Sequence, residues 1–237
     1  MPDISQLFDR SGAVPRPPLG RFAREYWALA VDRPDPPATA ALPTGDGQVV
    51  FVLPGFLTND SLTTTLRRFL DSRGFRSFGW DHGLNWGPTD SALDHIRRRV
   101  VALSDLNGGP IAIVGVSLGG LLARNVAYEE PARIRHVATL ASPFRLPTAS
   151  GFEPLIRMCS AFYSHDLKLS RLAAPLPMPS TAFYTQDDGV VAWQSCRSDE
   201  PGCMNIGVTG AHMTICRNPV VLAELVRRLA EDKGGAG

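Results

Sequence analysis

The sequence predicts an α/β protein, with a mostly parallel central sheet flanked by helices and a small helical cap inserted late in the chain. Three observations carry this. Short apolar, β-branched runs alternate with stretches of helical spacing, the rhythm that builds parallel sheets. One run, Ile111-Ala112-Ile113-Val114-Gly115-Val116, passes through Ser117-Leu118-Gly119-Gly120 straight into helix-forming Leu121-Leu122-Ala123-Arg124. The alternation breaks once, over about 144–180, before strand patterning resumes.

In chain order, residues 1–47 are a proline-rich arm expected to pack on the domain, with only 21–30 able to form a short helix between proline clusters. The run 48–53 is apolar throughout and stopped by Pro54-Gly55, the pattern of a strand buried on both faces. Residues 60–72 carry Leu62, Leu66, Phe69 and Leu70 at helical spacing, with Gly74 as the stop. A strand is expected at 75–80, a loop at 81–88, and a helix to about Leu106 capped by Thr89 or Asp90. After the Ser117 helix come a strand at 134–140, the cap with one helix at about 153–163, strands at 181–185 and 204–208, and a closing helix at 220–229. The main domain thus runs 48–232, and 233–237 reads as a frayed tail.

Composition narrows the function. A net charge of +1 over 237 residues gives no field to draw a polyanion, so a nucleic-acid partner is not expected. No apolar stretch approaches the ~18–20 residues a bilayer span needs, and the first residues lack a signal-peptide pattern. A soluble, cytoplasmic protein without stable membrane insertion is expected. Four irregularly spaced cysteines fit packing thiols better than a zinc site or disulfide framework, with a Cys196–Cys203 bridge as the alternative.

The chemistry-bearing residues converge on one edge, because the loops at the carboxyl ends of parallel strands carry the site in such sheets. Gly115 and Gly119 flank Ser117 where strand and helix must approach closely, so Ser117 is the candidate nucleophile on a strained turn. A serine hydroxyl needs a base held by an acid. His82 and His95 precede Ser117, His136 opens a strand at the wrong end of the sheet, and His165 lies in the cap. His212, just past the last strand, remains as the base. Asp187 and Asp188 end the preceding strand; Asp188, fixed by the Gly189 turn and apolar Val190-Val191, is favoured as the acid. The oxyanion donors are the N–H of Leu118 and that of Phe56 or Leu57 beyond Gly55, with Phe56 favoured. Leu57, Phe144, Met158 and Phe162 are candidate substrate contacts, the last three, together with Phe152 and Leu155, through an acyl pocket under the cap. Trp80, His82, Asn85 and Trp86 form either a further substrate wall or ordinary loop packing in which Asn85 fixes a turn.

With Leu53-Pro54-Gly55-Phe56, Gly115-Val116-Ser117-Leu118-Gly119 and the order Ser117, Asp188, His212 in place, the chain resembles the α/β-hydrolase superfamily, of the serine lipase and esterase type, over about 48–229. That resemblance implies a serine–aspartate–histidine triad without metal or organic cofactor, acting on a small apolar ester. It leaves open an acyltransferase or thioesterase using the same residues, and, further off, a non-catalytic binding protein. Pro54 departs from the histidine many members carry before the glycine, and Asp187-Asp188 from the usual single acid. Neither the physiological acyl group nor the oligomeric state follows from the sequence.

Overall fold

The computed structural model describes residues 7–9, 11, 13–32, 34–165 and 168–231, so the tail expected at 233–237 lies outside the described residues. Six strands, β1 (Val49–Leu53), β2 (Arg76–Phe78), β3 (Ile111–Val116), β4 (Ile134–Leu140), β5 (Ser180–Thr185) and β6 (Cys203–Val208), form one sheet in the order β2-β1-β3-β4-β5-β6. Every pairing is parallel. The helices are α1 (Leu19–Val31), α2 (Thr64–Ser72), α3 (Asp90–Asn107), α4 (Leu118–Glu129), α5 (Glu153–Cys159), α6 (Leu169–Leu172) and α7 (Pro219–Glu231).

The continuous apolar runs are explained by two-sided burial. Alternate side chains of a strand point to opposite faces, so Val50 and Val52 of β1 join Ala112 and Val114 of β3 under α2 and α7. Val49, Phe51 and Leu53 join Ile111 and Ile113 under α3 and α4. All of these side chains are fully buried, and each except the small Ala112 contributes roughly 1.5–3 kcal/mol of transfer free energy. Strand order does the rest. The chain leaves β1 to one side for β2 and crosses to the other side for β3, and Leu53 pairs with Gly115, so the turns that leave β1 and β3 lie side by side at the carboxyl edge, where the winding changes direction.

The cap differs from expectation in its detail. Its helix ends at Cys159 and tightens into a 3₁₀ turn at Ser160–Phe162, and a second short helix, α6, follows. The cap is tied down at both ends. Thr148 pairs with the arm through Asp9 N–H to Thr148 O (2.8 Å) and Thr148 N–H to Leu7 O (2.9 Å). At the far end the buried Arg124 guanidinium donates from Nε to Leu172 O (2.5 Å) and from Nη2 to Ala174 O (2.6 Å).

Three expected substrate contacts are corrected here. Phe144 is fully buried with Leu121, Leu172 and Ala182, and its ring lies under Arg124 at 4.4 Å; it belongs to the cap's foundation. Met158 and Phe162 are 67% and 76% exposed on the cap's outer surface. Phe152, Ile156, Cys159 and Tyr163 pack inward with Phe56, and Met158 and Phe162 turn away from that cluster. All four cysteines are free, so Cys196 and Cys203 are not bridged. Among the described residues no helix is long and apolar enough to cross a membrane.

Candidate active site

Ser117 sits between β3 and α4 with φ 50° and ψ −119°, a backbone conformation that L residues rarely adopt. The turn is held by Ser117 N–H to Leu140 O (2.8 Å) and Gly120 N–H to Ser117 O (3.0 Å). It needs its glycines for close approach. A Cβ on Gly115 would meet the Gly119 carbonyl, and one on Gly119 would lie 2.5 Å from Leu53 O. Gly119→Ala should therefore push α4 off the β1 turn, costing about 1–3 kcal/mol as overpacking does, and thermal unfolding of the variant measures it.

The β1 turn faces Ser117 across this contact. Asn85, fully buried, is its frame: Nδ2 donates to Pro54 O (2.8 Å), Oδ1 accepts from Gly87 N–H (3.0 Å), and its carbonyl accepts from Leu57 N–H (2.7 Å). The Leu57 N–H is thus consumed, with φ at +54°. The N–H groups of Phe56 and Leu118 have no acceptor among the described residues. Leu118 opens a helix, where the first N–H groups lack intrahelical partners and the dipole favours negative charge.

Asp188 and His212 form a buried pair, Oδ2 to Nδ1 at 2.7 Å. The other Asp188 oxygen accepts from Val190 and Val191 N–H groups, each at 2.8 Å, which fixes the carboxylate's direction. Asp187 instead turns its Oδ2 to Gly210 N–H (3.3 Å). A carboxylate can only accept, so the His212 proton sits on Nδ1 and leaves Nε2 as a base. Burial works against the charged imidazole, but the Asp188 carboxylate and then Glu25 outweigh it and raise the His212 pKa above its ordinary value. The Ser117 hydroxyl makes no hydrogen bond to His212 among the described residues. The other histidines are engaged elsewhere or distant: His82 stacks on His95 at 4.4 Å, His136 meets Thr181, and His165 is exposed.

From Ser117 a slot of about 60 Å³ runs under the cap, lined by Phe56, Leu118, Leu121, Phe152, Ile156 and Val191 and, from the arm, by Leu7 and Phe8. Leu57 lies outside it, on a wider groove of about 510 Å³ with Thr58, Asn59, Ser61, Thr65 and Met213. Trp80 is core, Trp86 is 54% exposed, and neither borders the slot, so that loop acts through Asn85.

Sequence reasoning missed Glu25. Its carboxylate, on α1 and 1% exposed, accepts from Gly189 N–H (2.8 Å) and His212 N–H (3.1 Å) at Oε1 and from Met213 N–H (2.9 Å) at Oε2. A signal existed: Phe22, Glu25, Ala28 and Leu29 share the inward face of α1, so a charge stands in the middle of its buried stripe.

A six-stranded parallel sheet with a strained serine turn beyond β3 and a carboxylate–imidazole pair beyond β5 and β6 is an open α/β architecture with its chemistry on the carboxyl edge. The alpha/beta hydrolase fold family matches residues 48–167, just over half of the chain, and the chain belongs to that family. No curated protein matches the sequence. Among solved structures, lipase B of Aspergillus fumigatus is similar at 14% identity and TM-score 0.60, over 84% of this chain and 56% of that one. The naproxen esterase (carboxylesterase NP) of Bacillus subtilis is similar at 13% identity and TM-score 0.54, over 79% and 85%. The thioesterase domain from the curacin biosynthetic pathway gives 14% identity and TM-score 0.54, over 78% and 92%. At these identities the likeness is one of fold.

Proposed function

We propose that this protein is a cytoplasmic serine carboxylic-ester hydrolase acting through an acyl-enzyme. The observation that carries the reading is the buried Asp188–His212 pair, with Asp188 locked by two further N–H donors so that its free oxygen meets Nδ1. In this mechanism the Ser117 Oγ attacks the ester carbonyl carbon as His212 Nε2 takes its proton. The carbonyl oxygen becomes an oxyanion held by Phe56 and Leu118 N–H. Collapse breaks the ester C–O bond, and His212 returns the proton to the departing alkoxide, which leaves as the alcohol. Water, deprotonated by His212, then attacks the acyl-serine and releases the carboxylic acid and free Ser117.

The slot supports an apolar acyl group of modest size. The hydroxyl-lined groove beyond Leu57 and Met213 is suited to the leaving alcohol. A fluorophosphonate probe is expected to label Ser117, and p-nitrophenyl esters from acetate to dodecanoate should give a kcat/KM maximum among the shorter acyl chains and about a tenfold or greater fall by the longest, because the apolar slot is small. Activity climbing steadily to the longest chain would overturn the acyl assignment. The same machinery serves a thioesterase or acyltransferase, and product analysis with a thioester, or with an alcohol competing against water, separates these.

A further inference from the structure

The arm contributes more than packing. Glu25 joins three backbone N–H groups that belong to two different loops, 164 to 188 residues away in the chain: Gly189, next to Asp188, and the consecutive pair His212 and Met213. The approach is close enough that a Cβ on Gly189 would lie 2.5 Å from Arg21 O and 3.0 Å from Glu25 Cγ. α1 is anchored on both sides of this point, by Arg21 Nη1 to Gln186 O (2.7 Å) and by Arg217 Nη2 to Leu29 O (3.3 Å). We infer that Glu25 is a positioning residue for the Asp188–His212 pair: it clamps the acid loop to the histidine loop and sets a second negative charge behind the imidazole.

The geometry explains why a carboxylate stands there. Three converging donors need an acceptor-only group with two oxygens. A glutamine would turn its NH₂ toward either Met213 N–H or the Gly189 and His212 pair, donor against donor. An aspartate is one methylene short, about 1.5 Å, and cannot reach both loops from the same helix. The charged groups around His212 are few. Asp188 and Glu25 face it. Asp32 and Arg217 lie farther along the α1 contact, where Thr214 Oγ1 donates to Asp32 Oδ2 (3.3 Å). The Cys196 thiol beside Asp188 is held neutral by burial. α2 and α7 present Leu66, Leu70, Val221 and Leu222 to the far end of the turn.

This inference rests on the serine-hydrolase reading, and one experiment separates their failures. Wild type, Glu25→Gln, Glu25→Asp and Ser117→Ala are compared by kcat and KM across pH and by NMR titration of the His212 ring. Glu25→Gln should keep KM, lose about 10²-fold in kcat, as displacement of catalytic groups by an ångström does, and lower the His212 pKa and the acid limb of the pH profile together by about half a unit or more. Glu25→Asp, which keeps the charge, should lose kcat with its acid limb near the wild-type position. An unmoved His212 pKa in Glu25→Gln, whether kcat holds or falls, overturns the inference. If Glu25→Gln does not fold, Glu25→Asp decides: reduced kcat at unchanged KM and acid limb supports the clamp, and kcat within threefold of wild type overturns it. Turnover in Ser117→Ala equal to wild type defeats the hydrolase reading alone, since the NMR titration reports on Glu25 without it.

Discussion

Ser117→Ala should lower kcat for a short p-nitrophenyl ester by about 10⁴–10⁶-fold, the loss that follows removal of a nucleophile acting in concert with its base. Positioning groups survive in this variant: the Phe56 and Leu118 N–H donors belong to the backbone, and the Asp188–His212 pair is built from other loops. The residual rate should therefore still exceed that in water, and KM should change little. Folding is a fair control here because alanine at φ 50° meets the same strain as serine. Ser117→Gly makes the strain itself measurable. Glycine adopts this backbone region freely, so Ser117→Gly should be as inactive as the alanine variant yet more stable, by about 1–3 kcal/mol. A glycine variant that melts below wild type would mean that the turn stores no such strain. Equal turnover by wild type and the alanine variant would mean that another group is the nucleophile.

What could be read from the residues, and what could not, divides by the range of the interaction. Val49 to Leu53 and Ile111 to Val116 announce buried strands because burial on both faces removes polar alternation, and all eleven residues are buried. The Ser117 turn was legible because its requirement is local: two glycines must flank it for strand and helix to touch. Asp188 and His212 could be ordered by their places past β5 and β6, since strand ends fix where loops emerge. The slot was not legible. Its inner wall depends on the phase of α5, which begins after a glycine–phenylalanine turn and selects Ile156 over Met158. Leu7 and Phe8 also line it, brought in by a backbone pairing with Thr148 across some 140 residues. Glu25 is the same case in polar form. Its three partners are backbone N–H groups, which carry no residue identity, so no side-chain type elsewhere in the chain points back to it.

Asp188→Asn should cost about 10⁴-fold in kcat, and Asp187→Asn less than about threefold, although the two residues are neighbours. The difference follows from what each carboxylate touches. Asparagine at 188 would keep its carbonyl oxygen on the Val190 and Val191 N–H groups, two donors that only an acceptor satisfies. Its NH₂ must then face His212 Nδ1, where Asp188 Oδ2 now accepts at 2.7 Å. A donor at that place forces the imidazole proton from Nδ1 to Nε2, so the ring presents N–H to Ser117 and cannot take the hydroxyl proton. The fold stays and the base is lost. The charge matters as well, because the carboxylate is the main reason that His212 holds its proton above the ordinary imidazole range despite complete burial. Under the proposed mechanism the neutral ring is the active base, so kcat/KM should rise with pH through that elevated value, and the acid limb should fall to lower pH in whatever activity Asp188→Asn retains. Folded-state stability runs the other way: a raised histidine pKa contributes stability fully below the unfolded value near 6.5 and loses it as pH climbs through the folded one. Asp187, by contrast, holds Gly210 N–H at 3.3 Å, a weak contact that the asparagine carbonyl can replace. Asp187→Asn falling as far as Asp188→Asn, measured by pH-resolved steady-state kinetics on folded protein, would assign the acid to the neighbour.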